Sequence, residues 1–259
     1  MPFEPFLSIV IPAYNEEQRL PDTLAQLQAF CARQSFEIEV LVVDDGSQDG
    51  TCRIVEEQAL TWPWLRLIRL AHAGKGQAIK QGFLAAQGAL VFMCDADLSM
   101  PLEELPRFLT AMQEGCGVAI GSREAPGAVR YREPIRRHLM GRVFNWLVRL
   151  LVLPDIQDTQ CGFKCFTRQA ARAVASCQQL SGWGFDVELL FIARKRGYIL
   201  REVPIAWYYK PSSRIHPLRD ALHMTRDLFA IRHNDQSGCY EQLAQPESVL
   251  APGNQRGEE

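Results

Sequence analysis

Hydrophobic positions along the chain come in short runs, set apart by polar stretches and by longer segments of helical character. The apolar and β-branched runs Leu7–Ile11, Glu39–Val43, Leu65–Arg69, Leu90–Cys94 and Val118–Ile120 read as strands. Between them Thr23–Cys31, Cys52–Gln58, Gln77–Ala86 and Glu103–Met112 read as helices. Pro21 and Pro101 stand near helix starts, where a missing N–H costs least. Strand and helix in alternation predict stacked βα units: an α/β fold with a Rossmann-like, mainly parallel sheet flanked by helices. Such sheets bind ligands beyond the carboxyl ends of their strands. That rule points to Pro12–Glu16, Asp44–Asp49 and Asp95–Ser99, each directly after a strand.

Past Gly121 the pattern changes. A basic segment, Arg123–Arg137, leads into an apolar run of helix length, His138–Leu153. A mixed section from Cys161 to Tyr209 carries a short strand, two helices and a strand at Ile199–Trp207. Pro217–His233 has the pattern of an amphipathic helix, and Asn234–Glu259 is polar and rich in Gln, Pro, Gly and Glu, the composition of a weakly attached or disordered tail. The predicted organisation is one domain over residues 1–232, in two parts that meet at about residue 121, then a tail over 233–259. The pattern of His138–Leu153 fits two structures. It is either a core helix, or a helix lying in a membrane interface with Trp146 at the boundary and Arg142 and Arg149 toward headgroups.

Composition narrows the function. With 47% hydrophobic residues in 259, the chain can bury a large core, and a net charge of -2 gives it no general attraction for nucleic acid. Its eight cysteines include Cys31, Cys52 and Cys94 in or beside apolar stretches, and no secreted disulfide framework is visible, so reduced structural thiols are expected. No segment approaches roughly twenty uninterrupted apolar residues, and no basic region precedes Phe6–Ile11. No spanning helix is expected, though the chain can still lie on a membrane, and reduced thiols suit the cytoplasm. The oligomeric state stays open.

Asp95-Ala96-Asp97 ends the buried run Leu90–Cys94, a costly place for two like charges unless a cation joins them. Hard divalent ions such as Mg²⁺ or Mn²⁺ take carboxylate and phosphate oxygens together, so the tripeptide suggests a metal between protein and diphosphate. A plain acidic loop cap uses the same tripeptide; its place after a strand favours the metal. Asp44 and Asp45 end a second apolar strand, where carboxylates can accept from ribose hydroxyls or a base, while Asp49 and Thr51 suit the cap of the next helix. In Pro12–Glu16, Tyr14 can stack on a base and Glu16 can bind it; an ordinary strand-to-helix turn has the same form. Arg123, Arg130, Arg132, Arg136 and Arg137 give five guanidinium groups in fifteen residues, suited to phosphate or to a solvated loop. Asp158 and Asp186 are candidates for sugar hydroxyls or for orienting these arginines, and Asp186 also suits a helix cap before Val187–Arg196.

Several motifs recur in order: Ile11–Glu16, Val43-Asp44-Asp45-Gly46-Ser47, Gly74-Lys75-Gly76, Asp95–Ser99, Gly121-Ser122-Arg123, Asp158–Lys164 and Trp183–Glu188. From about Leu7 to Arg232 the chain thereby resembles glycosyltransferase family two, inverting enzymes with a GT-A fold. It looks most like the branch that makes polyprenyl-phosphate hexoses, glucose first and mannose second. The resemblance implies a nucleotide-diphosphate sugar and a polyprenyl phosphate as substrates, a divalent metal as cofactor and an anionic membrane surface as partner. It places Pro12, Tyr14, Glu16 and Asp45 in the nucleotide pocket, Asp95 and Asp97 on the metal, and Arg123 on phosphate. Asp44, Lys75, Ala96, Arg136, Arg137, Asp158 and Gln160 join the substrate-binding candidates, and Asp97, Arg123 and Asp186 are the catalytic ones. His72 departs from the family, which has Asn before the Gly-Lys-Gly turn. Transfer to a growing polysaccharide would call for a carboxylate base in an acidic pair and a Gln-x-x-Arg-Trp motif, and neither that motif nor an Asp-Glu or Glu-Asp pair is present in the second half. A nucleotide-sugar-binding scaffold would go with a degraded Asp-x-Asp, which here is intact.

Overall fold

A computed structural model describes residues 4–210 and 217–241, except for the side chains of residue 137 and residues 217–222. The expected alternation holds through the first half, as β1 (Leu7–Ala13), α1 (Leu20–Cys31), β2 (Ile38–Asp44), α2 (Thr51–Ala59), β3 (Leu65–Arg69), α3 (Lys75–Ala85) and β4 (Leu90–Met93). A 3₁₀ turn at Leu102–Glu104 leads into α4 (Leu105–Gln113), then β5 (Val118–Ser122), β6 (Val129–Tyr131) and α5 (Ile135–Leu151). The second half adds β7 (Lys164–Thr167), α6 (Arg168–Cys177), α7 (Phe185–Lys195), β8 (Leu200–Pro204), β9 (Ala206–Tyr208) and α8 (Pro217–Gln236).

Seven strands form one sheet in the order β3-β2-β1-β4-β7-β5-β8, in which β7 alone runs antiparallel to its neighbours. Side chains of a strand alternate between faces, and the sequence uses both. Leu7, Ile9 and Ile11 of β1, Val40 and Val42 of β2, and Phe92 of β4 pack against α1, α2 and α4. Val10, Leu41, Val43, Val91 and Met93 point the other way, onto α3, α6 and α7. Strands buried on both faces carry apolar residues at most positions, hence their nearly continuous hydrophobic runs, and buried Ser8 and Glu39 bond to each other.

Three expectations need revision. The strand expected at Ile199–Trp207 is two strands. Pro204 ends β8 because it has no N–H to continue the ladder, and β9 leaves the main sheet to pair with β6 in a two-stranded ribbon. The basic segment is therefore not a plain loop, since it holds β6 and the start of α5. The boundary expected at residue 232 falls inside α8, and beyond that helix Tyr240 is 1% exposed. Residues 242–259 of the expected tail lie outside the described residues.

α5 buries little. Asn145 and Val148 face the core, whereas Ile135, Leu139, Val143, Trp146 and Leu150 lie between 55% and 85% exposed. Their spacing of three and four residues puts them in one stripe along the helix. α5 thus packs one face on the core through Phe144, Leu147, Val148 and Leu151 and turns a second apolar face outward, with Phe229 of the adjacent α8 also exposed. Among the described residues no helix is long and apolar enough to cross a membrane.

Candidate active site at the carboxyl ends of the strands

The loops after β1, β2, β4 and β5 meet α5 and the turn before α7 around a cavity of about 920 Å³. Of the residues singled out in the sequence, Pro12, Tyr14, Glu16, Asp45, Lys75, Asp95, Ala96, Asp97, Arg123, Arg136, Gln160 and Asp186 line it. Asp44 and Asp158 do not line the cavity, and the side chain of Arg137 lies outside the described residues.

Asp44 is buried because it shapes its own turn, its Oδ2 accepting from the N–H groups of Gly46 (3.1 Å) and Ser47 (3.0 Å). Asp45 reaches further, to the loop before α3, and accepts from Ala73 N–H (2.8 Å) and Gly74 N–H (2.9 Å). His72 Nδ1 lies 2.8 Å from Asp45 Oδ2 and 3.0 Å from Asp45 O, two acceptors, so this nitrogen carries the proton. The same imidazole stacks on Tyr14 at 4.3 Å between centroids. Tyr14 and His72 together make a flat aromatic wall, and Glu16 beside them pairs with Arg19 at 3.0 Å.

After β4, Asp97 Oδ1 accepts from the N–H (2.9 Å) and hydroxyl (2.6 Å) of Ser99, closing a turn in which Leu98 adopts φ 45°. A leucine there costs about 1 kcal/mol or more, strain of the kind that gathers at functional sites. Asp95 meets the Lys75 ammonium at 2.5 Å. Burial pushes the Asp95 carboxyl up, but Lys75 outweighs it and holds the group below the usual carboxylate range. Gly162 makes this approach possible, since a Cβ there would fall 2.1 Å from Asp95 Oδ2. The Asp95 and Asp97 carboxylates offer the hard oxygens that Mg²⁺ or Mn²⁺ prefers. No group of three or more His, Cys, Asp or Glu with metal-site geometry occurs among the described residues. Asp95 and Asp97 are the residues that would hold such an ion, as two of its ligands.

The opposite wall is cationic, and two of its cations, Arg123 and Arg130, are already paired. Arg123 forks onto Asp158 through Nε (2.7 Å) and Nη2 (2.9 Å) and lies over the Trp207 ring at 5.3 Å. Arg130 is shared between Glu124 and Glu133, each at 2.5 Å. The helix-cap reading of Asp186 does not hold. It lies in the first turn of α7, and its carboxylate meets buried Lys164, whose ammonium also donates to Cys161 O (2.6 Å). Lys164 and Trp183 stand inside motifs noted in the sequence, yet nothing in the pattern marked them as site residues. Trp207, in β9, carried no signal at all.

This architecture, an α/β sheet with an Asp-x-Asp turn at the end of its fourth strand and a cavity between acidic and cationic walls, is that of a GT-A glycosyltransferase. The family model for Glycosyl transferase family 2 matches residues 8–174, and the chain belongs to that family. It is similar to the dolichyl-phosphate beta-glucosyltransferase of Drosophila melanogaster, 37% identical over 243 residues covering 87% of this chain and 74% of that protein. The human dolichyl-phosphate beta-glucosyltransferase is 35% identical over 250 residues, covering 90% and 77%. Among solved structures, glucosyl-3-phosphoglycerate synthase from Mycobacterium tuberculosis in complex with uridine diphosphate aligns with a TM-score of 0.64 at 22% identity, covering 91% of this chain and 80% of that one. The same enzyme in complex with Mn²⁺, uridine diphosphate and glucosyl-3-phosphoglycerate aligns at 0.63 and 20%, covering 90% and 80%. At these identities the structural likeness is one of fold.

Proposed function

We propose that this glycosyltransferase moves glucose from a nucleotide-diphosphate glucose, uridine diphosphate first, onto a polyprenyl phosphate, with inversion at the anomeric carbon. The observation that carries the reading is a single cavity with three different walls. One is acidic and aromatic, one is cationic, and the third is the inner side of α5, which brings Met140 and Phe144 to the cavity while its outer face is apolar and exposed. A charged donor and a lipid-borne phosphate each find matching chemistry there. The names of the curated relatives supply the sugar and the lipid.

In this reading Tyr14, His72 and Asp45 hold the nucleotide, with Pro12, Glu16 and Ala96 lining its seat. A divalent ion held by Asp95 and Asp97 would neutralise charge on the departing diphosphate. Lys75 adds a second positive group on that side. The acceptor phosphate has a second pKa near ~6 and is largely dianionic at pH 7, so no base has to take a proton from it. Its oxygen attacks the anomeric carbon, that carbon's bond to the diphosphate oxygen breaks, and the nucleoside diphosphate leaves. Arg123 and Arg136 guide the incoming phosphate, with Asp158 fixing the angle of the Arg123 fork. Asp186, pinned by Lys164, orients a sugar hydroxyl, and Gln160 stands beside it.

A polyprenyl tail leaves the bilayer only at about 0.8 kcal/mol per CH₂, so the enzyme must meet its acceptor at the interface. The exposed stripe of α5 is the docking face, and Arg142 and Arg149 turn toward anionic headgroups. The deciding experiment is product analysis with a panel of nucleotide sugars and short polyprenyl phosphates in Mg²⁺ or Mn²⁺. β-Glucosyl polyprenyl phosphate from an α-linked donor is expected. Transfer to a water-soluble sugar, with none to any polyprenyl phosphate, would overturn the assignment.

A further inference from the structure

The turn between α6 and α7, residues 178–184, is held from two sides. On one side is the first turn of α3: Gly76 N–H donates to Ser181 O (2.7 Å), and buried Gln178 returns a bond from Nε2 to Gly76 O (2.8 Å). On the other side is the C-terminal part of the chain. Asp227 of α8 accepts from Gly184 N–H at 3.1 Å. Glu188, 0% exposed, accepts from Gln179 N–H (3.0 Å), Leu180 N–H (2.8 Å) and the Tyr240 hydroxyl (2.8 Å).

What this turn carries reaches the site. Its Trp183 lines the cavity, and the Lys75 ammonium sits 5.6 Å from the centre of the Trp183 ring while it holds Asp95 at 2.5 Å. An unbroken series of contacts thus runs from Asp227 and Tyr240 through the turn to Lys75 and the Asp-x-Asp loop. Gly184 is part of the arrangement, because a Cβ there would fall 2.4 Å from the Asp227 Cβ.

A clamp made of carboxylates is an expensive way to pack a helix. Burial pushes both the Glu188 and the Asp227 carboxyls up, and apolar residues of similar volume would serve stability as well or better. Its advantage is direction, since a carboxylate accepting backbone N–H groups fixes a turn where apolar contact would let it slide.

We infer that Asp227 and Tyr240 are positioning residues for the donor side of the site, acting through the 178–184 turn on Lys75. They lie beyond residues 8–174, the span matched by the family model. The inference rests on reading the cavity as the donor site.

Calorimetric titration of the full-length protein with uridine diphosphate in Mn²⁺, paired with steady-state kinetics, tests it. Asp227→Ala is expected to weaken nucleotide binding by about tenfold and to lower kcat, with the acceptor KM unchanged. Asp227→Asn keeps an oxygen for Gly184 N–H and is expected to stay within about twofold of wild type. Gly184→Ala should match Asp227→Ala. Tyr240→Phe keeps the ring packing, so it tests the hydroxyl even where Asp227→Ala fails to fold, and a loss of about threefold is expected. Equal losses in Asp227→Ala and Asp227→Asn would overturn the inference, as would wild-type binding and kcat in both Asp227→Ala and Tyr240→Phe. If Lys75→Ala alone weakens binding, the clamp falls and the donor site stands. If wild type binds no uridine diphosphate, both fall.

Discussion

The carboxylates on the two sides of the cavity are held in part by different means, although Asp95 against Lys75 and Glu16 against Arg19 are ion pairs on the first side too. On one side Asp45 and Asp97 accept mainly from backbone N–H groups of nearby turns, together with a serine hydroxyl and an imidazole. On the other side Asp158 and Asp186 are buried against Arg123 and Lys164, ion against ion. The consequences for mutation differ. Removing an acceptor from backbone donors costs about 1–3 kcal/mol where the donors stay buried and less where water replaces it. Removing one member of a buried ion pair leaves an uncompensated charge and costs about 3–5 kcal/mol. Asp97 should therefore reveal itself in activity, and Asp158 and Asp186 in stability.

The largest effect expected is that of Asp97→Ala, which should lower transfer by about a thousandfold or more while its urea midpoint stays near that of wild type. Undiminished turnover, or full wild-type activity in excess chelator, would remove the metal role. Next comes Asp158→Ala, with an expected loss of about 3–5 kcal/mol in urea unfolding. Replacing Arg123 and Asp158 together by Met and Leu should recover much of that stability but none of the activity. If Asp158→Ala unfolds like wild type, the contrast between the walls disappears.

Arg123→Lys sharpens the comparison further. An ammonium cannot form the fork onto Asp158, so activity is expected to fall by at least about tenfold, equivalent to 1.4 kcal/mol, even though the charge is kept. Wild-type acceptor kinetics in this variant would reduce Arg123 to a generic cation.

Acid should separate the walls more gently. Burial pushes the Asp158 carboxyl up, but Arg123 overrides it and draws the group from its ordinary 3.8 down to about 2. A carboxyl depressed in the folded state contributes stability that is complete above its unfolded pKa and lost as pH falls through the folded one. Stability from this pair should thus decline between about pH 4 and pH 2, and Asp158→Asn should flatten that part of the curve. Parallel curves for the two proteins would show that the pair does not titrate in this window.

The smallest effect concerns the outer face of α5. Each arginine near an anionic surface contributes about 1 kcal/mol, so binding to anionic vesicles should be reversible and weakened by salt. Trp146→Glu with Leu150→Glu should reduce co-sedimentation at low salt while leaving the fold intact, since both side chains are already exposed. Unchanged vesicle binding would move the docking face elsewhere.

The sequence by itself determined the sheet, its faces and the acidic turns behind β2 and β4. Continuous apolar runs specify strands buried on both sides, and Asp44, Asp45, Asp95 and Asp97 stand directly behind such runs, so their place at the carboxyl ends follows from strand length alone. Only the tertiary structure decided the cationic wall and its ion pairs. Arg123 meets Asp158 across 35 positions and Asp186 meets Lys164 across 22, and no local period encodes such pairings. α5 shows the same limit, because an apolar stripe has one pattern whether it faces a core or the outside, and what packs against it settles which. Tyr240 is the plainest case. It stands in a polar stretch that reads as a tail, yet it is buried because Glu188, 52 positions earlier, offers its hydroxyl a partner and Phe191 offers its ring one.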